Sequence, residues 1–329
     1  MKKYIVILIV VLLSLLAACG NSGGSATGAG ADGNYDGVTV RMAQSFGMAF
    51  APCTVMQELG LLEKHLPGAK LEGHQISGGS AINEAFIAGQ LDIGFMGIPP
   101  MLIAWDKGVG YKIVTGVSVP PWELMVRDSS IKSVADFTEA DKIAVPGIGS
   151  LQHIFLAMAA ERELGDVNAL DNNIIVMPHP DAFTALVSGT DIVAHFAGIP
   201  HIGMEMDAGF HSILSAIEAY GQKSSIVCVT NAAFHDGNPN VYDGFVAALS
   251  EAVDLINAQD PAAIKALADV ENISEEEVVR NIEWPGNSFE TPVYGAMGLA
   301  RFMYEQGFID SCPESTEDIM WGNAVAVDK

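Results

Sequence analysis

The sequence predicts an α/β protein of two similar lobes, each a set of βα units. Three observations predict it. From Val38 to about Thr230, short apolar runs alternate with segments of helical spacing, and strands alternating with helices imply parallel sheets covered by helices. One local pattern occurs twice, about a hundred residues apart. The chain has 329 residues, half of them apolar, which is enough for about two domains with sizeable cores.

The apolar runs are Val38–Met42, Leu91–Phe95, Ile113–Thr115, Leu124–Val126, Ile143–Val145, Ile174–Met177, Ile192–Phe196 and Ser225–Thr230. Helical spacing lies between most of them, as in Ala81–Ala88, Gln152–Leu164 and Ala182–Val187. From Pro239 onward the pattern is almost entirely helical, and Ser274-Glu-Glu-Glu277 reads as a capping box. The repeat runs from Phe86 through Gly89 and Asp92 to Gly97-Ile98-Pro99. It returns from Leu186 through Gly189 and Asp191 to Gly198-Ile199-Pro200. Each copy reads as a helix closed by a left-handed glycine, an apolar strand, and a proline in the first turn of the next helix.

These signals divide the chain into a leader (1–18), a tether (19–37), lobe one (38–118 with 235–329) and lobe two (122–230). The crossings fall at Gly116–Trp122, which holds Pro120 and Pro121, and near Thr230–Gly237. Paired crossings of this kind act as hinges for closure around a ligand.

The leader begins with Lys2 and Lys3, continues with the apolar run Tyr4–Leu16 and ends in small residues, as a secretory signal does. The run is shorter than the roughly 20 apolar residues of a membrane span. Leu16-Ala-Ala-Cys19 resembles a bacterial lipobox, which implies cleavage before Cys19 and lipidation of its thiol. Residues 20–37 are rich in Gly, Ser and Ala and have a flexible reach of roughly 20–25 Å. Matches to a dinucleotide fingerprint (Gly28–Gly33) and a nucleophile elbow (Gly20–Gly24) fall in this stretch with no strand before them, so neither counts.

Removing the leader leaves 311 of the 329 residues and, with Lys2 and Lys3 gone, takes the formal charge from −24 to −26. That excludes nucleic acid as a partner, because its binders present a basic face. It also argues against broad contact with anionic lipid. Beyond Cys19 the cysteines are Cys53, Cys228 and Cys312, all far apart. Without a C-x-x-C pair there is no zinc or redox motif.

Ligands of open α/β sheets sit beyond the carboxyl ends of the strands. That rule selects Ser45–Met48, Ser77–Ser80 and Gly97–Pro99 in lobe one. In lobe two it selects Gly147–His153, His179–Asp181 and His195–Gly198. The candidate ligand contacts are therefore Ser45, Phe46, Ser77, Gly78, Gly79, Ser80, Gly97 and Ile98 from one lobe. The other contributes Gly149, Ser150, Gln152, His153, His179, Asp181, His195 and Gly198, with Trp122 as an apolar wall at the crossing. The two Gly/Ser loops open helices, whose free N–H groups and positive dipole end receive anions or polar oxygens. His153, His179 and His195 match no metal-ligand spacing, so no metal and no cofactor is expected. Catalysis is not expected either, for lack of a nucleophile–base pair or a metal motif.

Several strings resemble the nitrate/sulfonate/taurine family of ABC-importer substrate-binding proteins. They are Ile76-Ser-Gly-Gly-Ser80, Ala88-Gly-Gln-Leu-Asp-Ile-Gly94, Lys142-Ile-Ala-Val-Pro-Gly-Ile-Gly-Ser150 and the Asp181–Asp191 helix. The resemblance covers about residues 38–230. It implies a type II periplasmic-binding fold, a small polar or anionic ligand, and a cognate permease and ATPase as partners. With the lipobox it implies a monomer held by lipid on the outer face of the membrane or in the periplasm. The same fold serves binders of thiamine-pyrimidine precursors and some enzymes, and a tethered ligand sensor would look alike. The strand-end loops contain no Arg or Lys, which leaves a neutral heterocycle open as the ligand.

Overall fold

A computed structural model describes residues 33–327. The leader, Cys19 and most of the tether lie outside the described residues. No described helix is long and apolar enough to cross a membrane.

The chain runs β1 (Thr39–Gln44), α1 (Ala51–Glu58), α2 (Leu61–His65), β2 (Lys70–Gln75), α3 (Gly78–Ile87), β3 (Ile93–Gly97), α4 (Ile98–Asp106) and β4 (Tyr111–Ser118). It crosses to the second lobe with β5 (Glu123–Val126), β6 (Lys142–Val145), α5 (Leu151–Leu164), β7 (Ile174–Val176), α6 (His179–Ser188), β8 (Ile192–Ala197), α7 (His201–Asp207), β9 (His211–Ser215) and α8 (Ala216–Tyr220). It returns with β10 (Ile226–Asn231). The rest is mainly helical: α9 (Ala232–Gly237), α10 (Pro239–Asn257), α11 (Pro261–Glu271), α12 (Glu275–Ile282), α13 (Ala296–Glu305) and α14 (Thr316–Ile319). Two short strands, β11 (Val293–Tyr294) and β12 (Ala326–Val327), pair with each other.

The two large sheets have matching orders, β2-β1-β3-β10-β4 and β7-β6-β8-β5-β9. The fourth strand of each, β10 or β5, runs antiparallel to its neighbours. The repeated sequence pattern maps onto equivalent places, since β3 and β8 are the central strands. Gly89 and Gly189 are both left-handed, at φ 70° and 72°. The copies differ at their ends, because Pro99 lies inside the first turn of its helix and Pro200 stands just before its own.

Strand β10 corrects the second crossing. It pairs with β3 and β4, so residues 226–231 belong to the first sheet, and the chain returns at 221–225 rather than at Thr230–Gly237. Alternation along the chain reports that a strand exists, and carries nothing about which sheet adopts it.

Sheet edges explain two strands that apolar runs do not reveal. β2 (Lys-Leu-Glu-Gly-His-Gln) and β9 (His-Ser-Ile-Leu-Ser) are both edge strands. An edge strand faces water on one side and need not read as apolar. The central strands β3 and β10 are almost wholly buried. Cys228 in β10 and Cys53 in α1 are buried free thiols, and burial pushes both upward in pKa. The expected capping box closes α12, where Ser274 N donates to Glu277 Oε2 at 2.9 Å and Glu277 N donates to Ser274 Oγ at 3.2 Å.

Candidate ligand cleft

The carboxyl ends of the central strands in the two lobes point at each other, and the loops after them meet. Gly47 is left-handed (φ 94°) beside the Ile199 carbonyl, and Met48 N donates to that carbonyl at 3.1 Å. Ser80 Oγ donates to the Ile148 carbonyl at 2.9 Å. At Gly78 (φ 77°) a Cβ would lie 2.7 Å from the Pro146 carbonyl oxygen. Only glycine allows the backbones of the two lobes to come this close. At Gly97 a Cβ would press on Leu151 at 3.0 Å.

This closeness leaves an inner cavity of about 30 Å³, room for about two waters. Ser45, Gly78, Gly79, Gly97, Trp122, Ser150, Gln152 and His179 line it. Helices α3 and α5 begin there from opposite lobes. Part of their donor capacity is already used. Gly78 N donates to Ser45 Oγ (3.2 Å), Gly149 N to His153 Nδ1 (3.0 Å), and His153 N to the capping Ser150 Oγ (3.2 Å). The amides of Gly79, Ser80, Leu151 and Gln152 remain, at the positive ends of both helices. Trp122 Nε1 is buried without a partner among the described residues.

An outer chamber of about 340 Å³ opens beside it, between the ends of β1, β2, β7 and β8. Its size falls in the range of small-molecule sites, roughly 300–1,000 Å³. Phe46 lines it, as do Phe183, His201, Met204 and Glu271. Sequence reasoning missed these last four. Phe183 and Met204 sit one helical turn inside α6 and α7, and Glu271 comes from the C-terminal helices, whose path to the cleft no local pattern announces. A third recess, of about 140 Å³, flanks the hinge at Pro120 and Pro121, away from the strand ends.

The other predicted residues do not line either chamber. Ile98 is fully buried in the core, and Asp181 is exposed in the first turn of α6. Gly198 packs under the Trp122 ring, 2.3 Å from where a Cβ would sit. Ser77 precedes α3 without a side-chain cap bond. His153 faces Phe308, with its Nε2 3.7 Å from Asp171. His195 is wholly buried behind His179.

His195 is one link of a buried chain. Gln152 Nε2 lies 3.2 Å from His179 Nε2, His179 Nδ1 lies 2.7 Å from His195 Nε2, and His195 Nδ1 lies 2.6 Å from Glu205 Oε1. With the Glu205 oxygen as the last acceptor, the links run in one direction: Gln152 donates to His179, His179 to His195, and His195 to Glu205. Burial holds His179 well below the usual imidazole pKa, helped by His195 and His201, and burial first, then His195, lowers His201 to about 3. Trp122 stacks on His179 with ring centroids 5.9 Å apart. The chain thus sets Gln152 and Trp122 at the cavity wall.

No Lys or Arg lines either chamber, and Lys223 lines the separate hinge recess. Arg41 is spent on Asp92, in a two-pronged pair at 3.0 and 2.8 Å. Arg127 donates to the carbonyls of Leu186 and Thr190. No group of three or more His, Cys, Asp or Glu among the described residues is placed to hold a metal ion.

Two mixed five-stranded sheets, each with an antiparallel fourth strand and joined by two crossings, have the architecture of the type II periplasmic-binding-protein fold. The chain belongs to the NMT1-like family, whose sequence model matches residues 36–272. No curated protein matches it. Solved structures with similar folds include the alkanesulfonate-binding protein SsuA from Xanthomonas axonopodis pv. citri, bound to MOPS. It has a TM-score of 0.70 and 19% identity, over 89% of this chain and 99% of that one. The periplasmic aliphatic sulphonate-binding SsuA from Escherichia coli follows at 0.67 and 21%, over 88% and 94%. The periplasmic nitrate-binding NrtA from Synechocystis PCC 6803 is similar at 0.59 and 13%, over 74% and 69%. All three are named for a ligand they bind and none for a reaction.

Proposed function

We propose that this protein is the extracytoplasmic solute-binding lipoprotein of an ABC importer, capturing a small polar or anionic molecule between its lobes. One observation carries the reading: two helix N-termini from opposite lobes, α3 and α5, open onto one cavity at the strand ends. Free amides from both sides give a ligand oxygen partners in each lobe, so binding favours closure. The NMT1-like family and the fold support the importer role. The lipobox-like Leu16–Cys19 supports a lipid anchor, and a permease and ATPase are the partners this role requires. The protein acts as a monomer and binds no nucleic acid. Ligand identity follows the chambers: the amides donate to an oxygen-bearing end, and the rest of the molecule extends outward.

A thermal-shift screen over sulfonates, nitrate, amino acids, pyrimidines and small carboxylates tests this, since a ligand of the folded state raises the melting temperature. Small-angle scattering with the best hit should show a smaller radius of gyration than without it. An unchanged radius, with binding verified by calorimetry, overturns capture by closure.

A further inference from the structure

We infer that the outer chamber is a subsite for a protonated amine on an apolar arm, with the Glu271 side chain as its counter-ion. The inference rests on the binding-protein reading and adds the chemical class of the ligand.

Four observations converge. The chamber is walled by the rings of Phe46 and Phe183 and the thioether of Met204. Such walls suit an apolar body, and aromatic faces attract a cation. Glu271 lines the same space and has no hydrogen-bond or ion-pair partner among the described residues, while no Lys or Arg lines the chamber. Glu271 is the last residue of α11, and Val270, Glu271 and Asn272 all face the chamber. A helix end carries negative potential from its free carbonyls, favouring a cation there. The imidazole that also lines the space, His201, is held neutral by burial, so it offers no competing charge.

The carboxyl itself is primed for such a partner. Burial pushes Glu271 up to about 7, although its side chain keeps partial contact with solvent at the chamber. A carboxylate held near neutrality by desolvation gains most when a cation arrives. The formal charge of −24 favours approach of a cation from a distance. With amide donors at the inner cavity, the preferred ligand carries an oxygen acceptor at one end and an ammonium at the other.

The test uses matched ligands sharing one body: 2-phenylethylamine, 2-phenylethanol and phenylacetate, measured by calorimetry on the purified protein at pH 8. The amine should bind at least tenfold more tightly than the alcohol. Glu271→Gln should bring the two within about twofold, with a ligand-free melting temperature at pH 8 that holds or rises, because a desolvated carboxylate is removed. Lowering the pH from 8 to 5.5 should weaken the amine in the wild type and not in Glu271→Gln. The inference is overturned if the alcohol or the acid equals the amine, if Glu271→Gln keeps the preference, or if no amine binds. Should a sulfonate bind and close the lobes in that last case, the binding-protein reading stands and only the amine subsite falls.

Discussion

His195 Nδ1 lies 2.6 Å from Glu205 Oε1, with both side chains shielded from solvent. Glu205 sits on α7 and His195 on β8, so the pair ties a helix to the sheet beneath the cleft. Its other end reaches the cavity wall through His179 and Gln152. Glu205→Ala leaves the His195 donor unpaired in the interior, at a cost of about 1–3 kcal/mol. Thermal or urea unfolding should show that loss, and Glu205→Gln, which keeps an acceptor oxygen, should lose less. Equal stability of the alanine variant and wild type would show that the chain contributes nothing to the fold.

Acid should destabilise the protein through the same cluster. His179 and His201 are held below the usual value of 6.5 in the folded state. The unfolded chain therefore binds more protons below pH 6.5, and stability falls as pH drops from 6.5 toward about 3. Each imidazole contributes a slope of up to about 1.4 kcal/mol per pH unit in that window. Glu271 tilts the other way between its ordinary 4.5 and about 7, since the folded state holds its proton longer. His201→Phe should therefore flatten the decline of melting temperature between pH 6 and 4. An unchanged profile would mean that His201 titrates as it does in water.

Closure should depend on Gly78. A methyl group there meets the Pro146 carbonyl at 2.7 Å across the cleft, on a residue at φ 77°. A side chain in the left-handed region costs roughly 1–2 kcal/mol in either state, and the clash is confined to the closed one. Gly78→Ala should bind at least tenfold more weakly, and scattering should show less compaction by ligand. Full compaction would place the lobe contact elsewhere.

Trp122 Nε1 has no partner among the described residues although it is buried. If it donates to ligand, Trp122→Phe should weaken binding by roughly 0.5–1.5 kcal/mol for a neutral acceptor. That is about two- to twelvefold in affinity. The ligand-free melting temperature should hold or rise, because an unpaired buried donor is removed. Undiminished affinity would assign the N–H to the hinge recess, which the same ring also lines.

The tether makes its own prediction. On the proposal that an acyl chain on Cys19 is the anchor, Cys19→Ser should release the protein from membranes with its fold unaltered. Circular dichroism of the soluble form should match that of the lipidated one. Persistence of the variant in the membrane fraction would refute lipid anchoring at Cys19.

Much of the fold was legible in residues alone. The central strands carry continuous apolar runs because both faces of each sheet are covered, and the repeat marked by Gly89 and Gly189 reported two equivalent lobes. Glycines after the strands pointed to the loops that line the inner cavity, because a close backbone approach excludes a Cβ at Gly78. The edge strands β2 and β9 escaped notice, since both are partly solvated and their patterns are mixed.

The sequence by itself determined the class of architecture, the strand-end loops whose Ser45, Gly78, Ser150, Gln152 and His179 line the inner cavity, and the lack of Arg and Lys in those loops. Periodicity and turn chemistry are local, and those features are written in neighbouring residues. Only the tertiary structure decided that β10 returns to the first sheet, that Gly198 lies under Trp122, and that Glu205 completes a chain with His195. It alone brought Glu271, at the end of a helix more than two hundred residues from Phe46, into the same chamber. Such placements depend on which surfaces pack together, and packing joins residues whose separation along the chain leaves no local trace.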